Sequence, residues 1–348
     1  MKRILAVSSL LLLSPCGFAQ SGRVRDGAPD KQVIRLKAEE VLLPVSLRGR
    51  DGKPPSSLPG SDFVVLEDDK KRQITSIERM PSSILFLLDT GGEDPQFKRI
   101  NMNRDLALEI IGSLGVNDQA AIVTYSESAR LIAPWTGDKQ ALREALRWKF
   151  RPGLGSHLYD ALTYAAEEVL PKAPGLRSVV LLTDGMDFAA YPAMEKIRES
   201  LHRARATLYA ASQSGFMLAD IKPRAHHALD WYEMIDAKAR KRIEYLRVYE
   251  RKLDTGQGYL ADLVEETGGM IWAPPTREEF AHVAPIIVQE IGTEVVIAYS
   301  TERPASDTEP HTVSVSSSRP DITVRARRRV YSSLPVDSAK NGEAKNDK

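Results

Sequence analysis

Cysteine is nearly absent from this chain, since Cys16 is the only one in 348 residues. It lies in an N-terminal stretch with the pattern of a cleavable leader, so the mature chain is expected to contain no cysteine. Disulfides, a thiol nucleophile and thiolate metal sites are therefore excluded. The fold has to be stabilised by packing.

An excess of charge of either sign is also lacking. Forty-eight Lys and Arg residues nearly balance forty-seven Asp and Glu residues, which leaves a formal net charge of +1. No global field would attract nucleic acid or an anionic membrane. The basic cluster at 325–329 is interpreted as a solvated strand edge that discourages strand pairing. We expect no nucleic-acid partner.

Apolar runs long enough to cross a membrane are missing. The run at 4–13 is shorter than the roughly 20 residues that a spanning helix needs, and no later stretch reaches that length without charges. Together with the basic and small residues that flank it, this run predicts a signal peptide at 1–19, followed by Gln20. Lipidation at Cys16 is the alternative, but Pro15 fits that site poorly. We expect an exported protein, periplasmic or secreted, with no transmembrane segment after the signal peptide.

The rest of the chain changes its pattern twice. Residues 31–80 and 293–331 alternate short β-rich runs with turn clusters, whereas residues 83–292 alternate apolar strands with amphipathic helices. We predict a doubly wound, mostly parallel α/β sheet in 83–292. The two β-rich segments should pair in a β-sandwich-like module, because each alone would expose strand edges. The polar tail at 332–348 should be disordered.

Periodicity places the individual elements. The predicted strands are 33–36, 40–47, 63–66, 73–77, 84–88, 121–125, 178–182, 207–211, 270–272, 294–300, 311–316 and 321–326. Residues 216–257 form a predicted helical insert with apolar positions at steps of three or four, which either packs on the parent domain or binds a partner. Thr276 and Glu279 predict the start of a last helix, and Pro285 should kink it.

Three oxygen-bearing residues mark a candidate site. Asp89 follows strand 84–88 in a glycine-rich loop, Asp184 follows strand 178–182, and Ser156 begins a helix. Ligands bind at the carboxyl ends of strands in open α/β sheets. The three residues therefore indicate a site for a hard cation.

At these residues the chain resembles a von Willebrand factor type A domain over roughly 83–292. The metal-ion-dependent adhesion site of that family uses an Asp-x-Ser-x-Ser loop, a distant threonine and an aspartate in a Thr-Asp-Gly turn. Segments 117–125 and 158–162 resemble further marks of the family, and segments 61–68 and 266–269 resemble the VWFA-related acidobacterial family of exported proteins. The resemblance implies a binding or adhesion protein with a protein partner and Mg²⁺ as the possible cofactor, not an enzyme.

The chain departs from the metal motif at the two serine positions, which are Gly91 and Glu93. Asp89, Ser156, Asp184 and Glu93 are the candidate metal ligands, and Mg²⁺ would need waters to complete its coordination. In the alternative interpretation, the two aspartates cap helices or brace loops and Ser156 caps its helix. Both interpretations are open at this point.

Enzymatic functions lack their usual motifs. Ser156 and His157 are adjacent and do not form a nucleophile elbow. The glycine patterns that bind phosphate are absent, and His226-His227 is not part of a zinc-binding His-Glu-x-x-His motif. A binding protein is therefore the leading hypothesis. The alternatives are a metal-dependent hydrolase that uses the candidate carboxylates and a structural envelope component with a vestigial site.

Overall fold

The computed structural model describes residues 39–92, 98–187, 194–227, 236–304, 307 and 309–331. All of them belong to one compact unit, 38–348. The predictions for the leader, for the strand at 33–36, for Glu93 and for the C-terminal tail lie outside the described residues.

The elements within these ranges are numbered in chain order. The strands are β1 (Glu39–Arg48), β2 (Phe63–Glu67), β3 (Lys70–Arg72), β4 (Ile74–Glu78), β5 (Ser82–Asp89), β6 (Gln119–Tyr125), β7 (Ala129–Thr136), β8 (Leu176–Thr183), β9 (Ala206–Ser212), β10 (Ile271–Trp272), β11 (Glu294–Thr301), β12 (Pro310–Ser317), β13 (Thr323–Ala326) and β14 (Arg329–Tyr331). The helices are α1 (Ile100–Gly112), α2 (Lys139–Lys149), α3 (Leu158–Tyr164), α4 (Met194–Arg203), α5 (Ser214–Ala225), α6 (Ala237–Glu266), α7 (Arg277–Ala281) and α8 (Ala284–Ile291).

The central sheet has the strand order β10-β9-β8-β5-β6-β7. All neighbours are parallel except β6 and β7. Its central strands are apolar on both faces because helices pack on both sides, α1 and α2 on one and α3 and α4 on the other. The predicted doubly wound sheet is confirmed. The prediction missed β7, an edge strand that contains Pro134 and exposes much of its length.

A β-sandwich is built from both ends of the described chain. Its sheets have the orders β13-β1-β11-β4 and β14-β12-β2-β3. Strand β1 pairs with β11 and β2 pairs with β12, both antiparallel, so each sheet joins an early segment to a late one. Their inward side chains, including Leu43, Val65 and Ile297, form one core. The predicted β module of the fold class is therefore present, although the short strands β3 and β14 were not predicted.

The insert at 216–257 is not one helix, and that prediction is wrong. Helix α5 has Pro223 in its last turn and ends at Ala225, while α6 begins after Asp236, whose side chain accepts a hydrogen bond from the Lys238 amide. Helix α6 packs its apolar residues on the domain, with Leu253 in the core on one side of the sheet. No helix within the described ranges combines the length and apolar character needed to cross a membrane.

Two further predictions are corrected. Pro285 does not kink a helix, because α7 ends at Ala281 and Pro285 lies in the first turn of α8, where its missing N–H is not needed. The basic cluster at 325–329 does lie on the edge strands β13 and β14, and Arg328 is exposed, but the cluster as a whole is not solvated. Arg325 forms an ion pair with the buried Glu290 of α8, and Arg327 is buried. These arginines connect the sandwich to the helices of the α/β domain.

Candidate functional site at the carboxyl edge of the sheet

The structure brings three of the four predicted site residues together. Asp89 is the last residue of β5, Asp184 directly follows the neighbouring strand β8, and Ser156 precedes α3. All three are fully buried, with 0% exposure. The fourth candidate, Glu93, lies outside the described residues. Within the part of the chain that the structure describes, the site is therefore a closed polar cluster.

Asp89 is the hub of this cluster. Its Oδ2 accepts hydrogen bonds from Lys98 Nζ at 2.8 Å, Ser156 Oγ at 3.1 Å and Thr183 Oγ1 at 3.2 Å. Its Oδ1 accepts a hydrogen bond from the Gly91 amide at 2.9 Å. A carboxylate oxygen offers about two lone pairs, so three donors at Oδ2 leave that oxygen no capacity for a further partner.

Lys98 joins the two buried carboxylates. Its Nζ is 3.1 Å from Oδ2 of Asp184, whose other oxygen accepts a hydrogen bond from the Met186 amide at 2.9 Å. Burial opposes the charged form of Lys98, but the negative charges of Asp184 and Asp89 outweigh it and raise the pKa of the ammonium. Burial also raises the pKa of Asp89 to about 6, although Lys98 opposes that shift. The ammonium is thus held protonated between its partners.

The loops around the cluster are too close for a serine at position 91. A Cβ atom on Gly91 would lie 1.4 Å from the carbonyl oxygen of Gly155. The same loops are joined by a hydrogen bond from the Gly153 amide to the Thr90 oxygen at 2.9 Å. The departure from the Asp-x-Ser-x-Ser motif is therefore fixed by backbone packing.

Helix α6 closes the site from another side. A Cβ atom on Gly256 would lie 2.2 Å from the oxygen of Gly185, so the helix backbone packs directly on the turn that carries Asp184. Next to it, Ser214 Oγ donates to Oε1 of Gln257 at 2.6 Å. The packing of α6 on this turn contributes to the burial of the cluster.

The alternative interpretation of the site was partly correct. The aspartates do brace their loops, through the Gly91 and Met186 amides. Ser156, however, does not cap α3, because the N-cap residue is His157 and the Ser156 hydroxyl donates to Asp89.

Sequence reasoning missed two members of the cluster. Thr183 could have been found, since it belongs to the Thr-Asp-Gly turn. No motif indicated Lys98, which lies beyond the glycine-rich loop.

Comparisons with known proteins match this part of the chain to one domain family. Residues 84–186, which contain Asp89, Ser156 and Asp184, match the profile of the von Willebrand factor type A domain. The chain contains a von Willebrand factor type A domain. Inter-alpha-trypsin inhibitor heavy chain H4 of Sus scrofa is 26% identical over 135 residues, which cover 36% of this chain and 14% of that protein. The chain thus spans a small part of this relative. The narrower acidobacterial family stays a prediction.

Several solved structures are similar to the type A domain and its surroundings. Proximal thread matrix protein 1 from the mussel byssus, with a zinc-occupied MIDAS motif, has 13% identity and a TM-score of 0.43, covering 64% of this chain and 48% of that one. The PilB minor pilin from Streptococcus sanguinis has 15% identity and a TM-score of 0.43, covering 62% of each chain. The von Willebrand factor type A protein from Catenulispora acidiphila has 12% identity and a TM-score of 0.43, covering 84% of this chain and 74% of that one. Type A domains are typically interaction or adhesion modules and not enzymes.

A metal ion does not fit the site as it stands. One oxygen of each candidate carboxylate ligand, Oδ2 of Asp89 and Oδ2 of Asp184, already contacts the Lys98 ammonium. A divalent cation next to that ammonium would be repelled. Among the described residues, no group of three or more His, Cys, Asp or Glu side chains is arranged to hold a metal.

Proposed function

We propose that this chain is an exported binding protein whose type A domain engages an acidic protein partner through the exposed face of α6, without a bridging metal. The observation that carries this proposal is the composition of that face. Tyr245 is 53% exposed, Val248 is 38% exposed and Tyr259 is 36% exposed. Val248 lies three positions after Tyr245, and Tyr259 lies eleven positions after Val248, so at 3.6 residues per turn the three side chains fall on one side of the helix.

The same face is rich in residues that protein interfaces favour. The Tyr245 and Tyr249 rings stack with their centroids 5.8 Å apart. Residues 237–252 contain, over the whole circumference of the helix, seven Lys and Arg residues but only two Glu residues, and Lys238, Lys241 and Lys252 share the side of Tyr245 because they lie four or seven positions from it. Tyrosine and arginine are enriched at interfaces, and a local positive charge complements an acidic partner. An acidic protein surface is therefore the partner that this face fits best.

The alternatives have less support. Adhesion through Mg²⁺ needs an accessible ion, but the candidate ligands Asp89, Ser156 and Asp184 are buried around Lys98. A metal-dependent hydrolase at the same carboxylates would need access as well. A structural envelope component would need no partner at α6, and the experiment below separates it from a binding protein. Export is proposed from the signal-peptide pattern at 1–19.

Site-specific photocrosslinking tests this proposal. A photoreactive amino acid replaces Tyr245 in the full chain, which is exposed to envelope and secreted proteins of the source organism in parallel samples with EDTA and with Mg²⁺. The matched control carries it at Trp148, which is 60% exposed on α2 and also lies beside an arginine. We expect one defined protein adduct from position 245 and none from position 148, and mass spectrometry identifies it.

A second pair of variants tests the charge of the surface. Arg251→Glu with Lys252→Glu should abolish the adduct, whereas Lys139→Glu with Arg143→Glu on α2 should leave it. An adduct that requires Mg²⁺, or equal adducts at both positions, would contradict the proposal. No adduct at either position would favour the structural envelope component.

A further inference from the structure

Lys98 lies between the two aspartates that align with the metal-site motif of the type A family. Its Nζ lies 2.8 Å from Oδ2 of Asp89 and 3.1 Å from Oδ2 of Asp184. The Lys98 side chain and both aspartate side chains have 0% exposure. A lysine is almost never fully buried unless it is paired, so the two aspartates are the partners that allow Lys98 to be buried.

Two buried carboxylates at one sheet edge require a cation. Each would be strongly destabilised in a low-dielectric interior, and their mutual repulsion would add to that cost. A bound divalent ion is one solution, and a buried ammonium with good geometry is another. The hydroxyls of Ser156 and Thr183 complete this second solution, because they donate to the same Asp89 oxygen that Lys98 contacts.

The surrounding backbone fits the ammonium and not the metal motif. Gly91 stands where the motif has its first serine ligand, and its contact with Gly155 leaves no room for any side chain. Gly256 brings α6 against the turn of Asp184, which seals the cluster from the side of the helix. A site that exchanged metal and recognised a partner would need an opening here.

We propose that the Lys98 ammonium replaces the metal ion of the type A domain. The loops at the carboxyl edge of the sheet are then held in place without a divalent metal. Lys98 acts as a positioning residue for the loops that carry Asp89 and Asp184. The inference does not depend on the docking surface of α6, because its test measures metal response and stability and needs no partner.

Three variants of the full chain, freed of metal with EDTA, test this inference by thermal unfolding with and without 10 mM Mg²⁺ or Mn²⁺. Lys98→Ala removes the charge and vacates its space. Lys98→Met removes the charge but fills the space. Lys98→Met combined with Asp184→Asn restores the net charge of the wild-type cluster without a cation.

The expected results differ for each variant. The melting temperature of the wild-type chain does not respond to either metal. Lys98→Ala and Lys98→Met both melt at lower temperature, and only Lys98→Ala recovers with Mn²⁺, by about 4 °C if the metal is present at about 100 times its Kd. Asp184→Asn raises the melting temperature of Lys98→Met, because one carboxylate then no longer needs a counter-charge.

Two outcomes would overturn the inference. One is a metal-dependent rise in the melting temperature of the wild-type chain, which would show that Lys98 does not hold the cation position. The other is a failure of Asp184→Asn to rescue Lys98→Met, which would show that the lysine contributes packing and not charge. If Lys98→Ala does not fold, the Lys98→Met pair and the wild-type metal titration decide the question.

Discussion

Gly256 in α6 lies against the carbonyl oxygen of Gly185, so that a helix backbone rests directly on the turn after β8. This contact couples the long helix, with its exposed tyrosine and arginine face, to the closed carboxylate cluster. It requires that position 256 has no side chain, although glycine inside a helix is unfavourable. The packing of α6 on the turn therefore accounts for a glycine at position 256, whereas helix propensity does not.

Substitution of two glycines in the same helix tests the contact. Gly256→Ala should lower the free energy of unfolding by about 1–2 kcal/mol, because overpacking against Gly185 exceeds the gain in helix propensity. Gly258→Ala is the control, since a Cβ atom there has nothing within 4 Å. It should raise the free energy of unfolding by about 0.5–1 kcal/mol. Urea unfolding followed by circular dichroism measures both, and equal effects would contradict the close approach.

Restoring the family motif at position 91 should harm the protein. Gly91→Ser places a Cβ atom 1.4 Å from the oxygen of Gly155, so the two loops have to separate. We expect a loss of about 3 kcal/mol in the free energy of unfolding. Gly60→Ser is the matched control, because its nearest neighbour is Ile74 Cγ2 at 3.5 Å, an ordinary contact. A stable Gly91→Ser variant that gains Mg²⁺ binding would contradict both the packing argument and the role of Lys98.

Much of the fold could be predicted from the sequence, because its strands are strongly patterned. The run at 84–88 is short and apolar at every position, which is typical of a buried strand in a sheet covered on both faces. The missed strand β7 lies at an edge, where polar and apolar residues mix and Pro134 is tolerated. The break between α5 and α6 was missed because apolar residues continue at helical spacing on both sides of it.

The two aspartates of the candidate site could be predicted from the sequence, but the lysine between them could not. Asp89 and Asp184 each follow a predicted strand, and the parallel pairing of β5 with β8 brings them to one edge. Lys98 lies outside the helices and strands, so periodicity does not indicate where its ammonium lies. A lysine in such a position usually faces water, so composition alone gave no reason to place it between two buried carboxylates.

A buried ion pair in the sandwich gives a third prediction. Glu67 is fully buried and accepts hydrogen bonds from Tyr299 Oη at 3.1 Å and Thr301 Oγ1 at 2.8 Å, while Arg72 Nε lies 2.9 Å from it. Glu67→Gln should lower the free energy of unfolding by about 3 kcal/mol, because it leaves Arg72 without its buried counter-charge. Glu302 pairs with the same arginine but is 76% exposed, so Glu302→Gln should cost less than about 1 kcal/mol. Urea unfolding of the two variants at one pH decides the comparison.

His202 gives the protein a specific sensitivity to acid. Burial, together with the positive charges of Arg327 and Arg329, lowers the pKa of His202 to about 3, although Glu195 opposes the shift. Glu266 Oε2 also faces the ring, at 3.7 Å from Nε2. The folded protein therefore keeps this histidine neutral, whereas the unfolded chain takes up a proton below its ordinary pKa of about 6.5.

The sign of the pH effect follows from that difference. The contribution of neutral His202 to stability is fully present above pH 6.5 and is lost progressively as the pH falls towards 3, because the unfolded state binds more protons in that window. Between pH 8 and pH 5 the wild-type chain should lose about 2 kcal/mol through this group. His202→Gln should remove that part of the pH dependence, whatever its effect at pH 8, while the exposed control His282→Gln should keep it. If urea unfolding at the two pH values gives the same loss for all three proteins, His202 is not held neutral in the folded state.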